Sequence, residues 1–161
     1  MPARYDAPFI ARLLLPRVVA EAFDVQDRAL AAIGLTARQA LILLSCDLKE
    51  GGTAAELAVL YGLEASSITR LVDRLEEKRL MERRRSRKDR RKSMLSLTPA
   101  GRSSLKQAVR IATPIALAMW KGVAEKERQA LAAIVNKLLK NLNQMDPPKR
   151  TNFPARSSGS E

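Results

Sequence analysis

Apolar residues recur at helical spacing through most of the chain, and their phase breaks at a few capped or glycine-marked points. From about Pro8 to Ala32 the residues Phe9, Leu13, Val18, Val19, Ala22, Val25 and Leu30 form one stripe. Pro16 is expected to kink that helix or to mark where it properly begins. After Gly34, Thr36 and Gln39 stand three apart as a capping box requires, so a second helix is predicted to end before Gly51-Gly52. Thr53 and Glu56 repeat the device ahead of a short helix with Leu57, Ala58 and Leu60. It should stop at Tyr61-Gly62, where glycine readily turns left-handed.

The turn Gly62-Leu63-Glu64 leads into a helix over about Ala65 to Lys78. Ile68, Leu71, Val72 and Leu75 fall at i, i+3, i+4 and i+7 and are predicted buried, which leaves Ser66, Ser67, Thr69, Arg70, Asp73 and Arg74 facing outward. Two short strands follow, Met81 to Arg85 and Ser93 to Leu97, joined by a charged hairpin from Ser86 to Lys92. Thr98-Pro99 puts a hydroxyl cap before proline at the first helical position, where its missing donor costs nothing. A long helix is predicted from Ala100 to about Met119, kinked or broken at Pro114. A last one, about Glu125 to Leu142, carries Leu131, Ile134, Val135, Leu138, Leu139 and Leu142 on one face. Beyond Asp146 prolines and serines predict a disordered tail.

Composition narrows what these elements can do. With no histidine and a single cysteine, Cys46, the 161 residues can build neither a disulfide framework nor a zinc site of usual spacing, and imidazole acid/base chemistry is excluded. No cofactor and no catalytic constellation are expected. No apolar run reaches the ~18 residues of a membrane span, and the stretch Phe9 to Phe23 is too interrupted for a signal peptide, so the chain reads as cytoplasmic with no membrane partner. The net charge is +12, and a basic surface seeks polyanions. Aromatic content of 4% argues against a stacking platform for single strands or RNA.

The charge is concentrated. From Lys78 to Lys92 ten basic residues face only Glu82 and Asp89, so two thirds of the excess lies in one segment. A solvated charged face is the ordinary meaning of such a run; here it joins two strands directly after a capped helix pair, a place suited to double-stranded DNA. An exposed helix entering the major groove needs side chains on its first turns that reach base edges. Ser66, Ser67, Thr69, Arg70 and Arg74 meet that need, with Arg70 the candidate for bidentate contact with guanine. Arg87, Lys88, Arg90 and Arg91 on the hairpin suit a narrow minor groove. Asp89 among them is assigned a wing-stabilising ion pair with Arg91.

Several motifs in order resemble the MarR family: Leu35-Thr36 with Gln39, Glu56-Leu57-Ala58, the run Ser66 to Glu76, Asp89-Arg90-Arg91, and Leu97-Thr98-Pro99-Ala100-Gly101. The likeness is strong from about Gly34 to Gly101 and holds only in pattern for the flanking helices. It implies a mainly α fold with a small two-stranded β wing. Residues 35–98 would form a winged helix-turn-helix domain. Residues 1–34 and 99–145 would interlock with a second copy as a dimerisation lobe, and 146–161 would be the tail. One departure stands out: where the family usually has glycine after the recognition helix, this chain has Arg79, which a left-handed cap would strain.

Dimerisation also follows from the terminal stripes, which are too long for the central domain to cover. A two-fold dimer would set its recognition helices roughly 34 Å apart, on a near-palindromic operator. The resemblance further implies a repressor that releases DNA when a small aromatic or phenolic ligand enters a crevice walled by the first, second and fifth helices. Arg17, Arg38, Ser45 and Trp120 are its candidate ligand-binding residues. Cys46, in the apolar stretch Leu41 to Cys46, reads as an inert buried thiol, with a redox-sensing regulator as the alternative. A nonspecific architectural DNA binder without ligand sensing is the main rival reading.

Overall fold

The computed structural model describes residues 10–48, 52–85 and 93–145. Pro16 decides how the first helix starts. It has no N–H to give to the carbonyl of Arg12, and the chain before it winds as a π-helical turn, Ile10–Leu14, so the α-helix properly begins beside Pro16, as one of the two expectations had it. Helix α1 (Leu15–Leu30) then begins with Pro16 in its first turn, tightens into a 3-10 turn at Ala31–Ile33, and is closed by Gly34 at φ 67°. Leu30 is the one buried residue of α1.

Local capping places the next two helices as the sequence predicts. At the start of α2 (Ala37–Leu48) the Gln39 amide donates to Thr36 Oγ1, and the Thr36 amide donates to Gln39 Oε1, both at 3.2 Å. Asp27 of α1 also accepts from the Ala37 amide at 2.5 Å, which ties the first helix to the second. Thr53 and Glu56 form the reciprocal box at the head of α3 (Ala54–Tyr61), and Gly62 ends it at φ 61°. The tight turn then delivers α4 (Ala65–Glu77), one residue shorter than expected.

The end of α4 explains the departure at Arg79. The Leu80 amide donates to the Leu75 carbonyl at 2.9 Å and the Arg79 amide to the Glu76 carbonyl at 2.7 Å, a Schellman closure that requires a left-handed residue between them. Arg79 supplies it at φ 57°, the only non-glycine with positive φ among the described residues. Its β-carbon makes this conformation cost about 1 kcal/mol or more relative to glycine.

Strands β1 (Met81–Arg85) and β2 (Ser93–Leu97) pair antiparallel, from Met81 opposite Leu97 to Arg85 opposite Ser93. Met81, Leu95 and Leu97 turn inward. Gly52 adds a one-residue bridge on the other edge of β2, where the Leu95 amide donates to its carbonyl at 2.7 Å. A single paired residue has no period, so hydropathy could not announce it.

Helix α5 (Pro99–Met119) opens with Thr98 Oγ1 accepting from the Gly101 amide at 3.0 Å. It is not broken at Pro114: Arg110 and Pro114 are both exposed, so water can satisfy the carbonyl deprived of its donor. Gly101 is fixed by packing rather than by φ. A β-carbon there would lie 1.9 Å from the Leu80 carbonyl oxygen, so the start of α5 can press against the loop after α4 only with glycine.

The core joins Leu35, Ile42, Leu43 and Cys46 to Leu57, to Ile68, Val72 and Leu75, to the strand residues, and to Leu105 and Ala108. Helix α6 (Glu125–Met145) stands outside it. No residue of α6 is buried, and Leu131, Ile134, Val135, Leu138, Leu139 and Leu142 are 36–59% exposed.

Candidate nucleic-acid interface

The buried stripe of α4 fixes what its other face presents. With Ile68, Val72 and Leu75 fully inside, Ser66, Ser67, Thr69, Arg70 and Arg74 are exposed together. The Thr69 hydroxyl donates to the Ala65 carbonyl at 2.9 Å, so its oxygen can still accept. Among the described residues no carboxylate pairs with Arg70 or Arg74. Unpaired guanidinium groups beside hydroxyls on an exposed helix can hold phosphate or a guanine edge.

Asp73 behaves differently from the expectation that it faces solvent. It is half-buried, and its carboxylate meets Arg83 of β1 at 2.7 Å. Arg83 also pairs with Glu76, whose Oε1 accepts from the Arg83 amide at 3.0 Å. One arginine therefore straps the first wing strand to the recognition helix. The sequence hid this because Asp73 and Arg83 lie on different elements. Lys78, just past α4, donates to the Gly34 carbonyl at 2.6 Å and to Gln39 at 3.1 Å, which anchors the same C-terminal end of that helix to the start of α2.

Arg87, Lys88, Arg90 and Arg91, and the ion pair expected of Asp89, lie outside the described residues. The four ligand candidates do not converge. Arg17 pairs with Glu21 at 3.7 Å and lines a wide apolar groove of 810 Å³ between α1 and α5. Ser45 is buried in hydrogen bond to the Tyr61 hydroxyl. Burial pushes the Tyr61 phenol above its ordinary range. Trp120 sits at the end of α5. Arg38 lines a cavity of 300 Å³ with Val19, Phe23, Leu41, Tyr61 and Leu71, drawn from α1 to α4. A recess of 220 Å³ has the expected walls of α1, α2 and α5, but none of the four candidates lines it. Cys46 is buried at 2% exposure.

A helix-turn-helix followed by a two-stranded wing, with an exposed basic helix face, defines a winged helix-turn-helix protein. The MarR family model matches residues 35–93, the span from the α2 cap to the first residue of β2. The transcriptional repressor MprA of Escherichia coli is 28% identical over 144 residues, which cover 88% of this chain and 81% of that protein. Among solved structures, the S. aureus MepR–DNA complex aligns with a TM-score of 0.74 at 20% identity, covering 88% of this chain and 99% of that one. An organohalide-sensing regulator in its 2,4-dichlorophenol-bound form aligns with a TM-score of 0.80 at 18% identity, covering 98% and 96%. Residues 35–93 therefore match a MarR-family domain, and the similarity is to DNA-binding transcription regulators. Among the described residues no single helix is long and apolar enough to cross a membrane.

Proposed function

We propose that this chain binds a near-palindromic operator as a homodimer and represses transcription from it. The observation that carries this reading is the α4 face, where Arg70 and Arg74 stand exposed beside Ser66, Ser67 and Thr69, with no carboxylate partner among the described residues. In this reading α4 enters the major groove and Arg70 reads guanine. The hairpin residues Arg87, Lys88, Arg90 and Arg91 follow the minor groove and its phosphates, with Asp89 holding the hairpin in shape. Residues 35–98 act as the DNA-binding unit. The exposed stripes of α1, α5 and α6 supply the dimer lobe, because a monomer rarely leaves so many large apolar residues exposed along its helices.

Release by a small aromatic ligand belongs to the same proposal. The 300 Å³ cavity beside Arg38, with Phe23 and Tyr61 in its wall, has the size and lining such a ligand needs. The dichlorophenol-bound relative supports the ligand class. The test is binding to DNA flanking the chain's own gene against random duplex of equal length, with aromatic compounds added last. Strong preference with ligand-induced release supports the reading, whereas equal affinity for both duplexes favours an architectural binder.

A further inference from the structure

Arg38 comes to the recognition helix from outside the helix-turn-helix. It is the second residue of α2, it is exposed, and it lines an open recess of 380 Å³ together with Ser67, Arg70 and Arg74 of α4. Leu63 and Leu71 complete that lining, so no acidic residue borders the space. Among the described residues no carboxylate pairs with Arg38. Asp27, the carboxylate at the head of α2, accepts from the Ala37 amide at 2.5 Å instead.

A second observation fixes where the guanidinium stands. Its central carbon lies 4.8 Å from the centroid of the Phe23 ring, within cation–π range. Phe23 belongs to α1, is half-buried and packs against the core, so the ring is a firm support. A free arginine gives up much rotamer freedom when it binds; one already held against a ring has less to lose.

A helix lying in the major groove has base edges beneath it and phosphates at its shoulders. In the reading above Arg70 is taken by a base edge. Arg38 stands beside it on a separate element, where a shoulder contact belongs. Its guanidinium is permanently charged and offers a planar fork that matches two phosphate oxygens, and a serine hydroxyl can donate to the same group.

We propose that Arg38 binds one backbone phosphate of the DNA, with the Ser67 hydroxyl donating to that phosphate, and that Phe23 is the positioning residue that aims Arg38 at it. The inference rests on the proposed DNA role of α4 and deepens it. Arg70 reads the base, and Arg38 holds the neighbouring phosphate, so the register of α4 in the groove is set from α2 and α1 as well. The DNA-binding machinery then extends beyond residues 35–98, because Phe23 lies on a helix assigned to the dimer lobe.

The test measures wild type and variants on the duplex flanking the chain's own gene and on random duplex, across a salt series. Arg38→Gln is expected to bind both duplexes about tenfold more weakly and to lower the salt slope by about one, whereas Arg38→Lys keeps most of the slope. Phe23→Leu should weaken binding severalfold at full slope and add nothing to Arg38→Gln, and Phe23→Tyr, which keeps a ring, should bind like wild type. A neutral methylphosphonate is then walked along each strand. One position per half-site should cost wild type about tenfold and Arg38→Gln nothing, a pattern that a merely structural arginine would not give. An unchanged slope in Arg38→Gln, or equal losses in both proteins at every methylphosphonate position, overturns the phosphate contact. Additive losses from Phe23→Leu and Arg38→Gln overturn the positioning role. If wild type binds both duplexes alike while Arg38→Gln still lowers the slope, the operator reading fails and Arg38 stands as a phosphate ligand.

Discussion

Helices α4 and α6 carry the same kind of apolar stripe and end in opposite conditions. Ile68, Val72 and Leu75 are wholly buried by α2, α3 and the wing strands of their own chain. Leu131, Ile134, Val135, Leu138, Leu139 and Leu142 have no such cover. An amphipathic pattern thus says that a face wants covering without saying by what. The region from α2 to β2 is complete in one chain, and its polar face is free to meet DNA. The region formed by α1, the far half of α5 and α6 is unfinished, and a second copy is the cover we propose. At about 25 cal/mol per Å² of apolar area, that many large side chains are a substantial driving force for association.

Breaking the unfinished half should have the largest effect. Leu131→Glu with Leu138→Glu puts two charges into the proposed interface. Sedimentation equilibrium should then report one chain per particle, and operator affinity should fall by about a hundredfold or more as the second half-site is lost. A dimer mass in that double variant would remove α6 from the interface. In the finished half, Gly101→Ala drives a methyl group into the Leu80 carbonyl. It should cost about 3 kcal/mol in urea unfolding, since neither backbone can yield easily. A loss below half that would mean the contact between α5 and the loop after α4 is loose.

Substitutions on the DNA face sharpen the comparison with smaller effects. Arg70→Ala should cost about 1 to 3 kcal/mol on operator DNA and much less on random duplex. Arg87→Ala or Arg90→Ala should weaken both alike and flatten the salt slope. Equal effects from all three on both duplexes would refute the division between base-reading helix and phosphate-binding wing. Smallest, Arg79→Gly should raise stability by about 1 kcal/mol in thermal or urea unfolding, because it relieves the left-handed arginine. No gain would mean that the Arg79 side chain makes compensating contacts.

Local signals made most of the fold legible. The two capping boxes, the glycine stop at Gly62, the Thr98-Pro99 start and both strands follow from neighbours within four residues, and the observed elements begin and end where those signals put them. Arg79 was legible as a misfit for the same reason. What stayed hidden joins distant positions: Gly52 against Leu95, Gly101 against Leu80, Asp73 and Glu76 around Arg83, and Arg38 beside Ser67, Arg70 and Arg74. No periodicity encodes these, since each depends on how separate elements pack. The candidate site divides the same way. The outward face of α4 could be read from its buried stripe, while the recruitment of Asp73 into a strap and of Arg38 to the recess could not.

The most direct test of the proposed role is equilibrium binding of the wild-type chain to the duplex flanking its own gene and to random duplex of the same length. The expected result is two chains per operator and a preference of about a thousandfold or more at moderate salt. Equal affinity for the two duplexes, or saturation at one chain per operator, would contradict it.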